Sequence, residues 1–101
     1  MLFIDQYSYL HFASGIIAYF WGVKLKLWII LHVLYEIVEN LDIMIYIINR
    51  FITIWPGGKP GPDPWINRVG DVLLGILGWL SSYYLDNLGY KYGWYKTPHL
   101  P

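Results

Sequence analysis

His32-Val33-Leu34-Tyr35-Glu36-Ile37-Val38-Glu39-Asn40 lies between two runs as apolar as a membrane helix, Leu27-Trp28-Ile29-Ile30-Leu31 and Ile43-Met44-Ile45-Tyr46-Ile47-Ile48. A helical step of about 100° per residue puts His32, Glu36, Glu39 and Asn40 on one face. Carboxylates inside such a run are expensive unless they are paired or used, so this face marks the polar site of the chain.

Composition sets the surroundings of that site. The chain has 101 residues, of which 56% are aliphatic or aromatic and 14% charged. One domain of this length has too little interior to hide so much apolar surface, and soluble domains carry nearer a quarter charged residues. A lipid bilayer is therefore the expected partner, and a compact soluble helical domain is the alternative. Formal charge is zero, which argues against nucleic acid. Cysteine is absent, which excludes disulfides and thiolate metal sites. The N-terminus lacks a basic segment and a small-residue cleavage site, so no removable signal is expected.

The pattern predicts an all-α polytopic membrane protein, a single domain with about three transmembrane helices. The first covers residues 7–23, with Ser14, Ala18 and Gly22 as a close-packing stripe. The second covers 25–51 after a turn at Gly22-Val-Lys-Leu-Lys26, unless Asn40 and Asp42 break it in two. Trp55-Pro-Gly-Gly-Lys-Pro-Gly-Pro-Asp-Pro-Trp65 cannot be a helix or a central strand and forms a stiff loop. Its Gly-Gly-Lys lacks the spacing of a phosphate loop. The third helix covers 64–85, with Asp63 as N-cap and Asn67, Asp71, Gly75 and Gly78 on one face. Residues 86–101 read as an aromatic interfacial tail, with His99 exposed and uninvolved. Three basic residues on one side (Arg50, Lys59, Arg68) face four on the other (Lys24, Lys26, Lys91, Lys96), so charge decides no orientation.

Counting along the helices at 1.5 Å per residue puts Glu39 about 16 Å in from Arg50, Glu36 about 21 Å and Asp71 about 12 Å in from Asp63. The expected cluster is Glu36, Glu39, Asn40 and Asp71, with Asn67 and His11 above it. The same count separates His11 from His32 by some 20 Å, which argues against a histidine-rich zinc site. With no lysine or arginine at that depth, three solutions are open: protonated acids in a packing network, a cation, or a wet cavity for proton transfer or hydrolysis. No cofactor is required. A divalent cation with oxygen ligands from Glu36, Glu39 and Asp71 is the alternative.

The set formed by His11 with Gly15, Tyr35-Glu36-x-x-Glu39-Asn40, and Asn67-x-x-Gly70-Asp71 with Gly75 and Gly78 resembles a group of small bacterial membrane proteins of unknown function. Those are distantly similar to the VanZ-like family, associated with glycopeptide-antibiotic resistance. The chain is also similar to small membrane proteins of large double-stranded DNA viruses. The resemblance covers roughly residues 8–82 and implies Glu36, Glu39, Asn40, Asn67 and Asp71 as a shared site, without supplying a reaction.

Two roles follow as expectations. The favoured one is an integral membrane protein serving as a structural or anchoring subunit of a larger assembly, such as a minor capsid protein in the internal membrane of a virion. The alternative is a VanZ-like membrane enzyme or lipid-binding protein whose Glu/Asp cluster acts on a lipid headgroup. There Glu39 would be the base or metal ligand, with Asp71 its partner. A proton relay through Glu36, Glu39 and Asp71 is a third possibility.

Overall fold

The computed structural model describes residues 3–56, 59 and 61–94. They form four helices: α1 (Ser8–Phe20), α2 (Leu25–Glu39), α3 (Asp42–Phe51) and α4 (Trp65–Lys91). The all-α expectation agrees with this; the polytopic architecture does not. Among the described residues no helix is long and apolar enough to cross a membrane.

The physical reason lies in two places. The long second helix breaks at Asn40-Leu41, where Leu41 is extended (φ −73°, ψ 143°). The Asn40 side chain caps the break, donating to the Glu36 carbonyl at 2.8 Å and accepting from the Asp63 backbone N–H at 2.8 Å. This leaves α2 with 15 residues and α3 with 10, about 22 and 15 Å against a hydrocarbon layer of about 30 Å. Helix α4 is long, at 27 residues. Its apolar character is diluted by Asn67, Arg68, Asp71, Ser81, Ser82, Asp86 and Asn87.

The ends of α4 also depart from expectation. Pro64 takes the N-cap position without a side-chain cap, and Asp63 is engaged elsewhere. The helix runs on to Lys91, through the first part of the expected tail; residues 95–101, His99 among them, lie outside the described residues.

Helices α1 and α4 form the main packing pair. The buried side of α1 is Ser8, Gly15, Ala18 and Tyr19, rather than a stripe running to Gly22, which is exposed. The buried side of α4 is Asn67, Gly70, Asp71, Gly75, Gly78, Ser82, Asp86 and Gly89, one continuous face of small and polar residues. Backbones touch here. A Cβ on Gly15 would strike the Gly75 carbonyl and come within 2.8 Å of the Trp79 amide nitrogen, and one on Gly78 would strike the Phe12 carbonyl. Helix α2 returns along this pair from a turn at Gly22, which adopts φ 83°. Trp28 Nε1 donates to the Gly75 carbonyl at 3.0 Å and fixes α2 against α4. Trp79 Nε1 donates to the Val23 carbonyl at 2.7 Å and pins the turn.

The distribution of side chains is inverted relative to an ordinary globular core. Fully buried apolar residues among those described are Ala18, Tyr19 and Ile48, whereas His32, Glu36, Glu39, Lys59, Asp71 and Asp86 are buried. Large apolar side chains such as Leu27, Leu34, Ile37, Ile43, Leu77 and Tyr84 cover the outside. Tight backbone approach and internal polar pairing, more than apolar burial, hold the helices in register.

This predicts an unusual sign for one substitution. Alanine normally favours a helix over glycine by about 1 kcal/mol. Gly15→Ala should instead lower stability by about 1–3 kcal/mol through overpacking against backbone that cannot move aside. Gly61, whose Cβ would meet nothing within 4 Å, should tolerate alanine with little change. Thermal unfolding in detergent, followed by circular dichroism, checks both.

Candidate functional site

The hairpin of α1 and α2 is what assembles the site. His11 precedes Gly22 by nearly the same chain length as His32 follows it, so an antiparallel pair of helices brings them level. His11 Nδ1 lies 3.0 Å from His32 Nε2, and the expected separation of the two histidines is overturned. That count ran through a single helix from Arg50; the break at Asn40 removes its basis.

Glu36, one turn along α2 from His32, points into the same space. Its Oε1 lies 3.7 Å from His11 Nδ1 and 4.0 Å from His32 Nε2. The other ring nitrogen of His11, Nε2, faces Asp71 Oδ2 at 3.3 Å. That contact orients the ring, with Nε2 towards Asp71 and Nδ1 towards His32 and Glu36. His32 and Glu36 are each 3% exposed. Among the described residues neither Glu36 oxygen nor His32 Nδ1 has a partner that meets hydrogen-bond geometry.

Burial decides the charge states here. It pushes His32 down to about 4, helped by His11, so the ring is neutral at pH 7. It lifts Glu36 well above the usual carboxylate range, with hydrogen-bonding contact to the neighbouring Asp71 carboxyl and then the charge of Glu39 adding to the shift. Asp71 is also raised by burial, although His11 and Glu36 oppose the shift. The Tyr35 hydroxyl beside them is raised too, by burial and then by Glu39.

A second group sits beside the first. Lys59, from the Pro/Gly loop, is 4% exposed. Its Nζ donates to Glu39 Oε1 at 3.0 Å and to Asp63 Oδ2 at 2.7 Å. The loop is held in place by Asn49, which accepts from the Lys59 N–H at 3.1 Å and donates to its carbonyl at 2.6 Å. Burial alone would depress the lysine, but its two carboxylate partners outweigh that and raise it. The expectation that no basic residue reaches the carboxylates is thereby corrected, and so is the capping role of Asp63. The oxygens that approach one another are those of Glu36, Glu39 and Asp63, while Asp71 turns to His11. Asn67 donates to Asp5 at 3.3 Å, and Asn40 serves the helix break.

Both groups border an open cavity of about 970 Å³. Its polar floor includes His11, His32, Glu39, Lys59, Asp63 and Asp71, and its walls include Tyr7, Leu10, Trp28, Leu31, Tyr35 and Trp55. The site thus combines a histidine pair with one carboxylate to orient it, a buried acid and an ion-pair triad, which together can bind a hydrogen-bonding group and exchange protons with it. Lys59 and His32 are the members that sequence reasoning missed or misplaced. Equal spacing of His11 and His32 about Gly22 was a usable signal for one; nothing in the loop sequence marked Lys59 as buried.

No family model, curated protein or solved structure matches this chain. The resemblance to VanZ-like and viral membrane proteins therefore rests on the short motifs alone.

Two outcomes are expected from these geometries. Lys59→Met leaves Glu39 buried without its counter-ion and should cost about 3–5 kcal/mol. Adding Glu39→Gln should recover part of that loss, as urea unfolding in detergent would show. The second concerns acid. Because the folded His32 binds its proton less readily than the unfolded ring, stability is present above about pH 6.5 and is lost as pH falls through 6.5 towards 4. The loss should reach about 3 kcal/mol, and His32→Gln should flatten the slope in chelator-treated protein.

Proposed function

We propose that the chain binds a lipid in this cavity, with the polar headgroup on the His11–Asp71–Lys59 floor and the apolar part along the aromatic and aliphatic wall. The observation that carries this reading is the continuity of the wall with the outside. Tyr7, Leu10, Leu31 and Tyr35 line the cavity and are also exposed, so an amphiphile can keep its chains on the apolar exterior while its head reaches the floor. Small-molecule sites commonly combine such a wall with a few convergent polar groups.

The floor favours one class of headgroup. Asp5, Glu39, Asp63 and Asp71 line the cavity against the single cation Lys59, itself already paired among the described residues. Acceptors dominate, so a headgroup that donates hydrogen bonds, an ammonium or a sugar hydroxyl, fits better than a bare phosphate. Histidine and carboxyl groups at the same floor give the site the means for general acid–base chemistry on such a head.

Native mass spectrometry tests this on protein exchanged into detergent with defined lipids. One phosphatidylethanolamine or glycosyl diacylglycerol should be retained per chain in preference to phosphatidic acid, and Asp5→Asn should lower retention several-fold. Preference for phosphatidic acid, or no retention, would overturn the reading. The expected role as an anchoring subunit draws support from the apolar exterior. A fixed set of protein partners after mild extraction from the native source, with an empty cavity, would favour it instead.

A further inference from the structure

We propose that His11 Nδ1, His32 Nε2 and Glu36 Oε1 bind one divalent first-row transition-metal ion, with Asp71 positioning His11 from behind. The three atoms stand 3.0, 3.7 and 4.0 Å apart. A triangle with those sides has a circumradius of about 2.1 Å, which matches metal–nitrogen and metal–oxygen bonds of about 2.0–2.2 Å. A point equidistant from all three thus already lies at bonding distance, and shifts of a few tenths of an ångström give the spacing of a tetrahedral face.

Three further observations point the same way. Both Glu36 oxygens are buried and find no partner of hydrogen-bond geometry among the described residues, an expensive state for a carboxyl unless something else meets it. The Asp71–His11 contact is the arrangement by which a carboxylate orients a metal-binding imidazole and raises its basicity. Charge balance adds the third. Lys59 serves Glu39 and Asp63, which leaves Glu36 and Asp71 without a lysine or arginine partner among the described residues.

The donor set selects the ion. Two imidazole nitrogens and one carboxylate oxygen suit zinc, iron(II) or cobalt(II) better than calcium or magnesium, which prefer oxygen alone. Binding displaces two protons, the one shared by His11 Nδ1 and His32 Nε2, which His32 Nδ1 can take up, and the one on the Glu36 acid, which passes to solvent; both rings then stay neutral and offer lone pairs. Three protein ligands leave a coordination position open, and because His11 and His32 line the cavity that position faces it. The neighbouring Glu36, Glu39 and Asp63 oxygens also approach one another, but the Lys59 ammonium sits on two of them and competes with any cation there.

This inference is independent of the lipid reading, since it is tested with metal alone. Chelator-treated protein in detergent is titrated with Co²⁺ and followed by visible absorption, and Zn²⁺ is titrated by calorimetry. One ion per chain is expected, with cobalt d–d bands in the visible. His11→Gln and Glu36→Gln should each weaken binding by at least about 100-fold, and Asp71→Asn by about 10–100-fold. Asp42→Asn, an exposed carboxylate on α3, should bind as the unaltered chain does. Circular dichroism of each variant separates ligand loss from unfolding; His11, the least buried ligand, is the variant best placed to keep its fold. Failure of the folded protein to bind either ion, or binding that survives His11→Gln and Glu36→Gln, would overturn the proposal.

Discussion

Gly75 carries the structure, because it has close neighbours on two sides at once. Gly15 of α1 lies against its backbone, and the His32 ring lies where its Cβ would be, 2.7 Å from Nδ1 and Cε1. Its carbonyl accepts from Trp28. One residue without a side chain therefore sets the distance from α4 to both α1 and α2. His11 can reach Asp71 and His32 only because these two approaches occur at one level. Small residues permit such close passage wherever apolar burial is a weak organising force.

The polar interior divides into two compartments with different solutions to the same cost. Around Lys59 the solution is ionic: an ammonium between two carboxylates, with the Lys59 backbone held by Asn49 at both its N–H and its carbonyl. Around Glu36 it is neutralisation, by burial that favours the uncharged acid and the uncharged imidazole. The first compartment stabilises the connection from α3 to α4. The second keeps lone pairs and protons facing a cavity, where they are free to act on something else. A buried group held neutral and unpartnered is poised in a way that a completed ion pair is not.

Much of this was legible from local pattern. Helical periodicity placed Asn67, Asp71, Gly75 and Gly78 on one face of α4, and the proline-rich segment excluded helix between α3 and α4. The misreadings came from tertiary effects. Asn40 breaks the long helix because its side chain finds the Glu36 carbonyl and the Asp63 amide together, and the second partner is 23 residues away. Composition was read as three membrane spans, yet hydropathy says only that the exterior is apolar and not how long each helix runs. Lys59 was invisible because a loop of glycine and proline gives no period from which to infer direction.

The hairpin at Gly22 has a consequence for how this chain can vary. His11 and His32 meet because the two arms are of matched length, so α1, the turn and α2 together behave as a gauge. Insertion of one residue in either arm turns every later side chain by about 100° and advances it by about 1.5 Å, which carries one imidazole off the shared face. The interval from His11 to His32 is thereby confined to its present count.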